Sequence, residues 1–108
     1  MAKHCQVTTT TDSAEAAEAL ARSAVTARLA ACGQVSGPIT SVYWWEGKVD
    51  SAAECVVVFK TTSDRAEALI AHVRAEHTYD TPEIIVTPVT GGNPAYLAWL
   101  DEETRSGE

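Results

Sequence analysis

The chain has 108 residues, 45% of them apolar and 21% charged. This length and composition suit one folded domain and exclude both wholesale disorder and two separate cores. Fifteen acidic residues against eight basic ones give a formal charge of −7, the wrong sign for a surface that neutralises phosphates or anionic lipid, so neither nucleic acid nor membrane is an expected partner.

Three cysteines, Cys5, Cys32 and Cys55, stand far apart and in no CxxC pair. They cannot complete a disulfide framework and do not resemble a zinc ribbon or a thioredoxin motif. No apolar h-region follows Lys3, and the longest apolar runs fall far below the roughly 18–20 residues that span a bilayer. A reducing, cytoplasmic setting is the expectation.

Residues 5–11, rich in Thr and Val, predict a first strand. Asp12, three residues before Glu15, reads as a capping-box start for an Ala-rich helix over residues 14–31. Leu20, Ala24, Ala27 and Ala31 fall on one face of that helix, and Gly33 is placed to end it. Residues 34–46 read as a second strand: Ile39, Ser41, Tyr43 and Trp45 share one face, and Thr40, Val42 and Trp44 the other. A turn at Glu46-Gly47-Lys48 leads into a third strand over residues 49–61. Its run Cys55-Val56-Val57-Val58-Phe59 predicts burial on both faces.

Ser63 or Asp64 is placed to cap a second helix, on which Ala66, Leu69, Ile70 and Val73 follow the helical period and His77 extends the stripe. Residues 83–89 form a fourth strand interrupted by Pro88, which suits an edge. Asn93 and Pro94 fit the N-cap and first position of a third helix carrying Tyr96, Trp99 and Leu100. Residues 106–108 read as a frayed end.

The order is β α β β α β with a further C-terminal helix, which makes the expected fold class α+β: a ferredoxin-like βαββαβ sandwich in a single domain, residues 4–105. In that topology the first and third strands are central and the second and fourth are edges. Both proline-containing strands, with Gly37-Pro38 and Pro88, then fall at edges. The second strand exceeds the common length of about 5–6 residues, so its hairpin with the third projects beyond the domain. Three helices over one sheet would leave the second face uncovered, and apolar residues on so long an edge predict a closed homo-oligomer.

Several segments together resemble the CutA-type divalent-cation tolerance proteins. They are Arg28-Leu29-Ala30-Ala31-Cys32, Thr40-Ser41-Val42-Tyr43-Trp44-Trp45-Glu46-Gly47-Lys48, Lys60-Thr61, His77-Thr78-Tyr79-Asp80-Thr81-Pro82-Glu83-Ile84-Ile85 and Gly92-Asn93-Pro94-Ala95-Tyr96-Leu97-Ala98-Trp99-Leu100. The resemblance runs in family order over nearly the whole chain. It implies a homotrimer similar in architecture to the PII-type signalling trimers, and an association with tolerance to divalent metals, copper especially. The chain departs from the family pattern at Gly33-Gln34-Val35 and at Thr78, where the family often has proline.

Cys32, His77 and Glu83 are the candidate metal ligands: thiolate and imidazole suit copper or zinc, and a carboxylate can complete a site. The alternative for Cys32 is a small buried hydrophobe, and for His77 a ring bonded to a nearby carbonyl. Cys5 and Cys55 read as core, and His4 and His72 as solvated. Tyr43, Trp45, Lys60, Tyr79 and Trp99 are candidates for an inter-subunit cleft, with interface anchoring as the competing role. The first functional reading is a non-enzymatic metal-responsive trimer with copper or another divalent cation and no organic cofactor. A second is a PII-like scaffold or signal-transduction module that binds a small molecule or partner protein. An enzyme is disfavoured, because the chain has no phosphate-binding glycine loop, no GxSxG motif and no tight metal-ligand cluster.

Overall fold

The computed structural model describes residues 2–105 of the protein, so the expected frayed end at residues 106–108 lies outside the described residues. The elements are β1 (His4–Thr11), α1 (Ala14–Thr26), β2 (Cys32–Trp45), β3 (Lys48–Thr62), a 3-10 turn (Ser63–Arg65), α2 (Ala66–Glu76), β4 (Ile84–Val89) and α3 (Pro94–Glu103). The sheet order is β2-β3-β1-β4, with every pairing antiparallel. The expected α+β fold is observed, with β1 and β3 central and both proline-bearing strands at the edges.

Alternation along the central strands divides the sheet into two unlike faces. Cys5, Val7, Val57 and Phe59 point to one face and pack with Ala17, Leu20, Ala21 and Ala24 of α1 and with Leu69 and Val73 of α2. Full burial of each large side chain in this layer contributes about 1.5–3 kcal/mol. The opposite face carries His4, Gln6, Lys60 and Thr62, and α3 lies across one end of it. There Leu100 is buried, His4 Nε2 meets Asp101 Oδ1 at 2.8 Å, and the Thr62 and Thr104 hydroxyls are 3.4 Å apart. Two helices therefore cover one face and the third starts to cover the other, which corrects the expectation that all three share one side. Since the second face is only partly covered, Val56 and Val58 are half-buried rather than core.

The first helix ends five residues earlier than its alanine content suggests. Its N-cap is Ser13, not Asp12, with Ser13 Oγ accepting from the Ala16 N–H at 3.0 Å. At the other end Leu29 N–H donates to Ala24 O and Arg28 N–H to Val25 O, the paired bonds of a Schellman ending, with Arg28 in the left-handed region at φ 64°. The buried stripe is accordingly Ala17, Leu20, Ala21 and Ala24, and Ala27 is exposed. Gly33 does not cap the helix; it lies in β2 opposite Phe59. A Cβ there would meet Ala21 Cβ at 3.0 Å and the Phe59 ring at 3.2 Å, so the close approach of α1 to the edge strand requires glycine. The second helix likewise lacks the expected side-chain cap and is entered through the 3-10 turn.

β2 and β3 form a ribbon that leaves the domain. β3 has 15 residues and β1 has 8, and their pairing stops at Thr11 and Cys55. Residues 48–54 therefore extend about 20 Å past the central sheet at roughly 3.3 Å per residue, giving overall dimensions of 44 × 25 × 21 Å. A bulge between Ser36 and Ile39, with Gly37 at φ 131°, marks where the ribbon departs. The turn at the tip is a two-residue connection, with Glu46 at φ 51° and Gly47 at φ 80°, the primed geometry whose twist matches the strands. Trp44, Val42 and Val49 on the ribbon are 75%, 68% and 61% exposed.

Two sites in this fold give opposite expectations. Gly33→Ala overpacks the α1–β2 contact and should lower unfolding free energy by about 1–3 kcal/mol, whereas Gly91→Ala, with nothing within 4 Å of the added Cβ, should change it by less than about 0.5 kcal/mol. Urea melts of the two variants check this, and equal midpoints would contradict the packing assignment.

Candidate functional site

One cluster of polar contacts gathers where the ribbon leaves the sheet. α2 ends at His77, whose extended backbone (φ −74°, ψ 149°) turns the chain out of the helix. The His77 ring fastens the next loop: Nδ1 accepts from the Tyr79 N–H at 3.1 Å, and Nε2 lies 2.8 Å from the Thr10 carbonyl oxygen. A carbonyl accepts only and an amide N–H donates only, so the ring is held as the Nε2–H tautomer. The far end of the loop is tied by Thr9 Oγ1, which donates to the Glu83 carbonyl at 2.6 Å. The 77–83 loop is thus stitched to β1 at both ends.

Tyr79 reaches from this loop to β3. Its hydroxyl donates to Glu54 Oε2 at 2.8 Å, and its ring lies 4.8 Å from that of His77. Burial, then the hydrogen bond and negative charge of Glu54 and the charge of Asp12, push this hydroxyl above the usual phenol range, so it remains a donor. Tyr43 and Trp45 stand on the same face of the ribbon as Glu54, in register with Asp50 and Lys48. Loop and ribbon together enclose an open cavity of about 740 Å³, whose lining includes Thr10, Tyr43, Trp45, Glu54, Tyr79 and Glu83, within the size range of small-molecule sites.

Of the residues expected in a cleft, Tyr43, Trp45 and Tyr79 meet here. Lys60 and Trp99 do not. Lys60 Nζ donates to the Gln34 side-chain oxygen at the other end of the sheet, and Trp99 stacks on Tyr96 of α3 at a centroid distance of 5.6 Å. Glu54 is missed by sequence reasoning; its signal is parity, since it precedes the inward-facing Cys55 and so faces the opposite side.

The three expected metal ligands are not brought together within one chain. Cys32 opens the edge strand β2, rather than ending a helix, and pairs with Lys60, which pairs in turn with Gln6. Glu83 precedes β4 at the opposite edge, about 14 Å across the sheet and about 13 Å along it at standard strand spacings. His77 has both ring nitrogens engaged by backbone groups. Among the described residues no group of three His, Cys, Asp or Glu side chains could hold a metal ion. Cys32 is half-buried, with its Sγ 3.7 Å from the Tyr96 hydroxyl, while Cys5 and Cys55 are core as expected. Burial and the bond to Cys32 raise the Tyr96 hydroxyl above its ordinary range. His4 and His72 are not solvated: His4 pairs with Asp101, and His72 Nε2 lies 2.8 Å from Ser23 Oγ. Both partners are distant in sequence.

A family model described as "CutA1 divalent ion tolerance protein" matches residues 5–103. The chloroplastic protein CutA 1 of Oryza sativa subsp. japonica is 48% identical over 91 residues, 84% of this chain and 51% of that protein. The chain therefore spans about half the length of that relative. The divalent-cation tolerance protein CutA of Pectobacterium atrosepticum is 40% identical over 89 residues, 82% of this chain and 81% of its own length. The crystal structure of CutA1 from Oryza sativa superposes with a TM-score of 0.94 at 43% identity, covering 98% of this chain and 97% of that one. With sequence, family model and fold in agreement over almost its whole length, this chain belongs to the CutA1 divalent ion tolerance family.

Proposed function

We propose that this protein is a non-enzymatic divalent-cation tolerance protein of the cytoplasm, assembled as a homotrimer, and that Cys32 is its point of contact with copper. The supporting observation is the placement of that thiol. It opens an edge strand, half-buried, with its sulfur 3.7 Å from the Tyr96 hydroxyl, whereas the other two thiols are buried in the core. A thiolate is the soft ligand that favours copper(I). Among the described residues one subunit does not build a chelate around it, so the proposal takes the remaining ligands from a neighbouring copy. The non-enzymatic reading is supported by His77, whose two ring nitrogens are held by backbone groups and are not poised as a general base.

Homotrimer assembly is supported by the exposed ribbon and the half-covered second sheet face, where Ile85, Ile39 and Trp45 are 40–60% exposed. Apolar surface of this extent along edges marks an association site.

A second reading, a PII-like scaffold or signalling module that binds a small molecule or partner protein, is favoured by the cavity between the 77–83 loop and the ribbon. The two readings place their ligands at different ends of the sheet and can be tested separately.

Copper(I) titrated into the reduced protein under anaerobic conditions should give saturable heat that falls at least tenfold in affinity in Cys32→Ser and is retained in Tyr79→Phe. Equal heats in wild type and Cys32→Ser would contradict the copper contact. For the second reading, a thermal-shift panel of metabolites without metal should contain a compound that raises the melting temperature of wild type and not of Tyr79→Phe. A panel silent in both proteins would count against it.

A further inference from the structure

The helical layer carries a cluster of donor groups that neither functional reading uses. His72 lies in α2 and Glu76 four residues further on, so the helical period sets both side chains on one side of the helix. His72 Nε2 and Glu76 Oε1 are 3.9 Å apart. The first helix supplies a third group: Ser23 Oγ lies 2.8 Å from the same ring nitrogen. An imidazole nitrogen, a carboxylate oxygen and a hydroxyl oxygen thus gather at the seam between α1 and α2. The His72 side chain is 22% exposed and that of Glu76 47%, so the ring is held between the helices while the carboxylate reaches solvent.

This cluster is complete within one subunit and stands away from the surfaces assigned to association. α1 and α2 cover the sheet face opposite the half-covered one. Among the described residues the exposed large apolar side chains lie on β2, β3, β4 and α3, and none lies on α1 or α2.

Three uses of these groups can be compared. A hydrogen-bonded pin between the helices needs Ser23 and His72 alone and gives the carboxylate no part. A Ser–His–acid catalytic triad places its serine and its acid on opposite ring nitrogens, whereas Ser23 and Glu76 approach the same one. A metal ion uses all three groups. Ligands held about 2.1 Å from an ion stand about 3.0–3.4 Å apart in octahedral or tetrahedral geometry. The observed separations of 2.8 and 3.9 Å fall on either side of that range, so a small turn of the Glu76 side chain closes the site. Imidazole selects nickel, copper or zinc over magnesium and calcium. With a hydroxyl as its third protein group the ion keeps bound water, which the exposed rim supplies. The net charge of −7 raises the local concentration of cations, and Arg22, next to Ser23 in sequence, is paired with Glu18 at 2.9 Å.

We propose that the α1–α2 seam binds a divalent transition-metal ion, with His72 Nε2 and the Glu76 carboxylate as its main ligands and the Ser23 hydroxyl as a weaker third. Binding uses the Nδ1–H tautomer of His72, and the Ser23 hydroxyl turns its hydrogen aside to present a lone pair. The site is separate from the Cys32 contact, which faces α3 on the other side of the sheet.

Nickel(II) titrated into the full chain tests the site, with Cys32→Ser as a parallel background that removes the half-buried thiol. Calorimetry should give a saturable event in both, weakened at least tenfold in His72→Gln and at least fivefold in Glu76→Gln, with magnesium giving no such event. The amide introduced by His72→Gln can still bond the Ser23 hydroxyl, so the loss reports the metal ligand rather than the helix contact. In wild-type protein, paramagnetic nickel(II) should broaden the ring proton signals of His72 before those of His4 and His77, a readout that needs no substitution in the site. Absence of nickel binding at millimolar concentration, an equal response to magnesium, unchanged affinity in folded His72→Gln, or first broadening at His4 or His77 overturns the inference. Binding that disappears in folded Cys32→Ser assigns the ion to the thiol and overturns this site alone.

Discussion

β3 pairs with β1 from Cys55 to Thr62 and then continues with β2 alone. That length mismatch shapes both ends of the molecule. Where β3 lies in the four-stranded sheet, α1 and α2 can cover one face and every second residue enters a core. Beyond Cys55 there is no central sheet for a helix to cover, so the same strand alternation leaves Trp44, Val42 and Val49 exposed on one side and Tyr43 and Trp45 on the other. An isolated two-stranded ribbon is marginally stable in water, and this one exposes large apolar side chains on both faces. The ribbon is therefore the part of the subunit whose stability depends most on further contacts, and it forms one wall of the cavity.

The other wall is a loop that would be mobile without its fastenings. Its two ends are bonded to consecutive residues of β1, Thr10 through the His77 ring and Thr9 through its own hydroxyl. The hydroxyl of Tyr79 then crosses to Glu54 on β3. Through these few polar bonds, the register of the two central strands sets the shape of the cavity. His77 is thus a structural brace on the geometry of a single chain. Sequence alone leaves that role level with metal ligation, and the bond to a carbonyl is the role the ring has here.

The strand order was legible because it follows from element order and from two prolines that cannot sit in central ladders. The end of α1 was not. Alanine propensity runs on through Ala31, but the Schellman turn at Ala24–Leu29 and the close approach of Ala21 to Gly33 outweigh it. Tyr43 and Trp45 could be assigned to one face by alternation alone, and that assignment carried them to the cavity. The separation of Cys32 from Glu83 depends on register across four strands, which local pattern does not encode. Likewise nothing near His4 in sequence announces Asp101, 97 positions away, so a terminal histidine read as solvated proves to anchor α3. Family resemblance conveyed fold and kinship over nearly the whole chain; the placement of individual ligands needed the three-dimensional register.

In the proposed homotrimer the exposed ribbon and half-covered sheet face are completed by other copies of this chain. Multi-angle light scattering across a concentration series tests it most directly. A homotrimer gives a mass about three times the 11.5 kDa subunit, unchanged on dilution into the low micromolar range. A mass near 11.5 kDa at micromolar concentration, with the ribbon intact by circular dichroism and proteolysis, would contradict it.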